Sequence, residues 1–148
     1  MEHKIKAKIS ELIYQAATWE YSLIRELNDQ KRIIGYVGTE KLLTIELKKY
    51  SRLSVPSSHY LMQLVSVFER LQKLGIPQEI YQKLPLSRWR DLLAITTQEN
   101  AGELTQYIIE GGELNEIKTR YAKGYKLRYN LYSAEFEFIT KDGENGDN

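Results

Sequence analysis

From His3 to Ile34 the chain contains neither proline nor glycine, and its apolar residues recur at steps of three and four: Ile5, Ile9, Leu12, Ala16, Trp19, Leu23 and Leu27. That is the helical period, so the spacing predicts one long helix or two in line. A helix with so long an apolar stripe does not stand alone in water. It packs on the body of its own domain, or along a second copy as a heptad-type pair. This run commits the fold to a helical class before anything else is read.

The rest of the chain follows the same period until near its end. "GYVG" at 35–38 interrupts the first run, and Thr39 is a candidate N-cap for a helix through Tyr50 with Leu42, Leu43, Ile45 and Leu47 as its apolar members. "SRLSV" reads as a turn. Ser54 as cap and Pro56 in the first turn open the next helix, which runs to Leu74 and stops at Gly75. On that helix Leu61, Leu64, Val65, Phe68 and Leu71 share one side. His59, Gln63, Ser66, Arg70 and Lys73 share the other. Shorter helices follow: one between Pro77 and Pro85, one capped by Ser87, one starting at Thr96 or Thr97 and stopped by Gly111–Gly112, and one ending at Gly124.

After Gly124 the period changes to two. "YKLRYN" and "AEFEF" both alternate, which predicts an antiparallel hairpin turning at Leu131 and Tyr132. The expected pairs are Tyr129 with Ala134, Leu127 with Phe136, Tyr125 with Phe138, Arg128 with Glu135 and Lys126 with Glu137, apolar on apolar and plus on minus. The fold class is therefore mainly α: a multi-helix bundle containing a helix-turn-helix at about 39–74, with a C-terminal β-hairpin. The domain reading is a helical part over 1–124, the hairpin over 125–140 and a disordered tail over 141–148, where "KDGENGDN" carries three acids and one lysine.

Composition bounds the function. The chain of 148 residues is 42% hydrophobic and 28% charged, which is one domain's worth of soluble protein with a core of its own. It has no cysteine, so neither a disulfide framework nor a thiolate metal site is available. The start "MEHKIKAKISELIYQ" lacks the apolar stretch of a secretory signal, and no run is long enough to span a bilayer, so a cytoplasmic location is expected. His3 and His59 have no histidine or acid partner at helical spacing, which excludes a histidine-built metal site on sequence grounds. "GYVGTEK" lacks the spacing of a phosphate-binding loop. Glu110 and Glu113 at a helix end do not make the converging acids of a nuclease. No enzyme and no cofactor is expected.

What remains is binding. The formal net charge is only +1, which argues mildly against a strong DNA binder, but the distribution is uneven. In a helix-turn-helix the start of the second helix reads the bases. Here Ser57, Ser58, His59 and Gln63 are the candidates for base edges, and Lys48, Lys49, Arg52 and Arg70 for phosphates. "IKTRYAKGYKLRYNLY" interleaves five cations with Tyr121, Tyr125, Tyr129 and Tyr132, a mixture that suits single-stranded nucleic acid or, equally, the two faces of the hairpin.

Two stretches carry a resemblance. "VPSSHYLMQLVSVFERLQKLGIPQEIYQKLP" resembles phage- and plasmid-borne helix-turn-helix domains. "LPLSRWRDLLAITTQENAGELTQYIIEGGELNEIKTRY" resembles the helical middle of ParB/KorB-like partition proteins. Together they cover about residues 39–121. The resemblance implies duplex DNA as partner, a homodimer, and a role in transcription regulation or in plasmid partition or replication. It does not extend to nucleotide binding, because the arginine- and glycine-rich CTPase motifs are absent. Asn115 stands where that family carries an arginine in its last helix, which weakens the case for a DNA contact there. The competing expectation is a protein-interaction module, an adaptor or inhibitor of phage or plasmid type. A continuous positive stripe at the turn favours DNA, and a mixed or apolar face favours a protein.

Overall fold

A computed structural model describes the backbone of residues 2–50 and 52–140, and the side chains of Ile5, of 20–50 and of 52–140. The order is six helices and a hairpin: α1 (Glu2–Lys48), α2 (Ser58–Lys73), α3 (Gln78–Tyr81), α4 (Leu86–Leu92) with a 3-10 turn over Leu93–Ile95, α5 (Ala101–Ile109), α6 (Leu114–Ala122), β1 (Lys126–Asn130) and β2 (Glu135–Ile139). The chain is thus mainly helical with a C-terminal two-stranded antiparallel hairpin, as its periodicity predicts. The proposed tail over 141–148 lies outside the described residues.

α1 consists of two helical segments joined by a kink at Gly35. Gly35 takes φ 83° and ψ 171°, a conformation essentially confined to glycine, and the helix resumes at once. Thr39 is therefore not the cap. It lies inside the helix, buried, with its hydroxyl donating to the Gly35 carbonyl at 2.8 Å. Gly38 stays helical because Thr39, Leu43 and Leu47 pack on the body and offset its low propensity. The buried face of the first half also differs from the expected stripe. Tyr21, Ile24 and Asn28 are buried, while Leu23 and Leu27 are only half-buried and Ile5 is exposed. Ile9, Leu12, Ala16 and Trp19 lie outside the described side chains. Tyr21 wins its place because its ring packs on Phe68 and Tyr81, and its hydroxyl donates toward the carbonyls of Tyr81 (2.7 Å) and Leu84 (3.0 Å).

α2 is the central helix. Its expected apolar side is buried, together with Met62 and Val67, and the opposite side is exposed except for Glu69 beside it, which is half-buried. Two caps fall elsewhere than expected. Ser57, not Ser54, caps α2, accepting the Tyr60 N–H at 3.1 Å, and Pro56 stays outside the helix. Ser87 caps nothing; α4 begins at Leu86, whose N–H donates to the Glu20 carboxylate of α1 at 2.5 Å. A third cap is close to the expected one: Thr97 and Asn100 bond each other reciprocally, and α5 starts at Ala101.

The hairpin forms, but in a different register. Leu127 faces Phe138, Tyr129 faces Phe136, Arg128 faces Glu137, Lys126 faces Ile139 and Asn130 faces Glu135. The expected two-residue turn becomes the longer loop Leu131–Ala134. Asn130 Oδ1 accepts from the backbone of Tyr132 (2.9 Å) and Ser133 (3.3 Å), and Ala134 takes φ 56°. The asparagine side chain supplies turn chemistry that Leu131 and Tyr132 lack. Because the slip is by two residues, every side chain keeps its face. Leu127 and Phe138 enter the same core as α1, α2, α4, α5 and α6, so the apolar face of the hairpin covers the helical body.

Candidate binding surface

The second half of α1, the turn Lys49–Ser57 and the start of α2 meet where Thr44 bonds Ser58. α1 meets α2 at two widely separated places. The Thr44 and Ser58 hydroxyls hydrogen-bond each other at 2.8 Å, and Lys31 donates to Glu69 at 2.8 Å. The Lys31 contact lies before the Gly35 kink and the Thr44 contact after it, and a nine-residue connection joins α1 to α2.

The expected base-reading residues separate into two kinds. Ser57 is spent as the N-cap, and Ser58 is half-buried and tied to α1. His59 and Gln63 are exposed, one turn apart, with His59 Nε2 and Gln63 Nε2 3.3 Å apart. The expected phosphate contacts Lys48, Lys49, Arg52 and Arg70 are all exposed. Lys49 pairs with Glu46 at 3.0 Å. Near Arg70, Glu69 is held between Lys31 and Lys73, whose ammonium groups keep its carboxyl below the ordinary range. A cleft of about 300 Å3 is lined by Thr44, Leu47, Lys48 and residues Val55 to Ser58. From Leu47 to Phe68 there is no acid.

Sequence reading missed what dominates this region. Of α1's four apolar residues after Gly38, Leu43 and Leu47 pack toward the core, but Leu42 and Ile45 are exposed. Ile33, Ile34, Tyr36 and Val37 precede them, and Tyr50, Leu53 and Val55 continue into the turn, all exposed. Nine of the thirteen exposed large hydrophobic side chains among the described residues fall between Ile33 and Val55, so the apolar exposure is concentrated in that stretch of the chain. A signal existed: four apolar residues over six positions span more of a helix than one buried face needs.

Elsewhere the basic aromatic segment is partly used in folding, while Lys118, Lys123, Lys126 and Tyr132 are exposed. Arg120 lies over the rings of Tyr125 (5.8 Å) and Phe138 (5.3 Å), Arg128 bonds Glu137, and the Tyr121 hydroxyl accepts the Leu127 N–H at 3.2 Å. Among the described residues no group of His, Asp and Glu is placed to hold a metal, and no helix is long and apolar enough to cross a membrane. Comparison with protein-family models, with curated proteins and with solved structures finds no match for the chain.

Proposed function

We propose that this is a non-catalytic binding protein that docks another protein through the exposed apolar residues between Ile33 and Val55. The observation that carries this reading is the number of exposed large hydrophobics there, on a helix whose Leu43 and Leu47 pack toward the core and on the exposed turn that follows it. Such a surface supports association because burying it removes apolar area from water. The flanking cations Lys41, Lys48 and Arg52 suit a rim around an apolar centre. A photo-crosslinking residue at Ile45 should give a discrete protein adduct in the native host. Leu42→Asp should abolish that adduct without changing the circular dichroism or Tm. Adducts of equal yield from a crosslinker at the distant Glu79 would end the proposal.

A second reading is duplex DNA binding of the phage or plasmid type, by a dimer acting in transcription, partition or replication. It is favoured by the acid-free stretch from Leu47 to Phe68, which exposes Lys48, Arg52, His59 and Gln63 together. Against it, DNA-reading helix pairs are joined by a turn of about 3–4 residues, whereas nine residues separate α1 from α2. Selection from random duplexes at low salt decides it. Enrichment of one site, lost on Gln63→Ala, supports DNA; no enrichment rejects it.

A further inference from the structure

Two adjoining clefts open beside α5, on residues that neither reading above uses. The larger, of about 570 Å3, is lined by Glu99, Glu103, Tyr121, Tyr125 and Lys126, with Ile95 among its apolar walls. The smaller, of about 330 Å3, is lined by Glu103, Gln106, Glu110, Tyr129 and Phe136. Each has the size of a site for a small organic group, and Glu103 is common to both.

The polar groups around them are mostly committed. The Tyr121 hydroxyl accepts the Leu127 N–H. Asn100 bonds the Ile95 carbonyl at 2.8 Å and the Thr97 N–H at 2.7 Å. Glu110 accepts from Gln106 at 3.2 Å. Glu103 is different: it is half-buried, burial pushes its carboxyl above the ordinary range, and no donor among the described residues bonds it. A partly desolvated carboxylate without a donor is costly, and a charged donor is the partner that offsets the cost best. The Tyr121 ring beside it offers a face that attracts cations, and Tyr125 already holds Arg120 over one of its own faces at 5.8 Å. Three acids line the two clefts against a single cation, Lys126.

We propose that these clefts bind an organic cation, an ammonium or guanidinium group on an apolar stem, with Glu103 as its counter-charge and Tyr121 and Tyr125 beside it. The cation comes from a free amine or from a lysine or arginine side chain of a peptide. Lys126 opposes it at the same cleft, which gives the site a signature of opposite sign.

The test is titration of the whole chain at low salt with agmatine and with a capped tri-arginine peptide, followed by NMR. Agmatine should shift resonances of Tyr121 and Tyr125. Glu103→Gln, nearly isosteric and half-exposed, should weaken binding about tenfold. Lys126→Gln should tighten it, an effect that a damaged fold does not produce. Peptide binding that is also weakened by Glu110→Gln assigns the cation to a peptide spanning both clefts. Agmatine binding as tight as the peptide's, and indifferent to Glu110, assigns it to a free amine. No binding of either probe at millimolar concentration, or Glu103→Gln and Lys126→Gln both binding like the unaltered chain, overturns the proposal.

Discussion

At the scale of single residues, the most informative side chain is Glu20. It caps α4 across 66 positions of sequence by accepting the Leu86 N–H, and Leu86 itself is fully buried. Burial raises the Glu20 carboxyl above its ordinary value, and the bond to Leu86 opposes the rise without cancelling it. The sign follows from linkage. A carboxyl with a raised folded pKa binds its proton more tightly in the native state, so its contribution is complete below the ordinary value of 4.5 and is lost as pH rises through the folded value. Glu20→Gln keeps an acceptor for Leu86 and removes the desolvated charge. It should leave Tm at pH 7 equal or higher and flatten its decline with pH above 4.5, measured by thermal melts across that range. Glu20→Leu should instead cost about 1–3 kcal/mol at acid pH, because a buried N–H loses its partner, and the cost should shrink as pH rises. A lower Tm at pH 7 for the glutamine variant would refute the account.

At the scale of elements, the hairpin shows what alternation specifies and what it leaves open. Alternation of apolar and charged residues assigns each side chain to a face, and all of those assignments survive a shift of register by two. It does not choose between Glu135 and Glu137 as the partner of Arg128, because both lie on the same face. The loop decides. Asn130 holds a turn of Leu131–Ala134, and that length brings Arg128 to Glu137, with Nε to Oε1 at 3.0 Å and the carboxyl held below its usual range. Arg128→Glu should lower Tm, and adding Glu137→Arg should restore it. Adding Glu135→Arg should not. A rescue by the second swap and not the first would return the hairpin to a two-residue turn.

At the scale of the whole molecule, the hairpin and the helices share one core. Phe138 packs with Leu127 in the cluster that holds Trp89, Leu104 and Ile117, and its ring meets Tyr107 edge-on. Phe136 is only half-buried. Phe138→Ala should therefore cost about 3–5 kcal/mol and lower the helical transition itself, and Phe136→Ala should cost less. A hairpin that melts alone, with the helical transition unmoved, would show two cooperative units rather than one. The sequence by itself determined the helical class, the buried face of α2, the stops at Gly75, Gly111 and Gly124 and the existence of the hairpin, because all of these follow from local period and from backbone freedom at glycine. Only the tertiary structure decided that Tyr21 and Ile24 rather than Leu23 and Leu27 are buried, that Glu20 caps α4, that Ser58 turns to Thr44, and that Leu42 and Ile45 stay in water. Each depends on which neighbour arrives from far along the chain, and local periodicity carries no information about that neighbour.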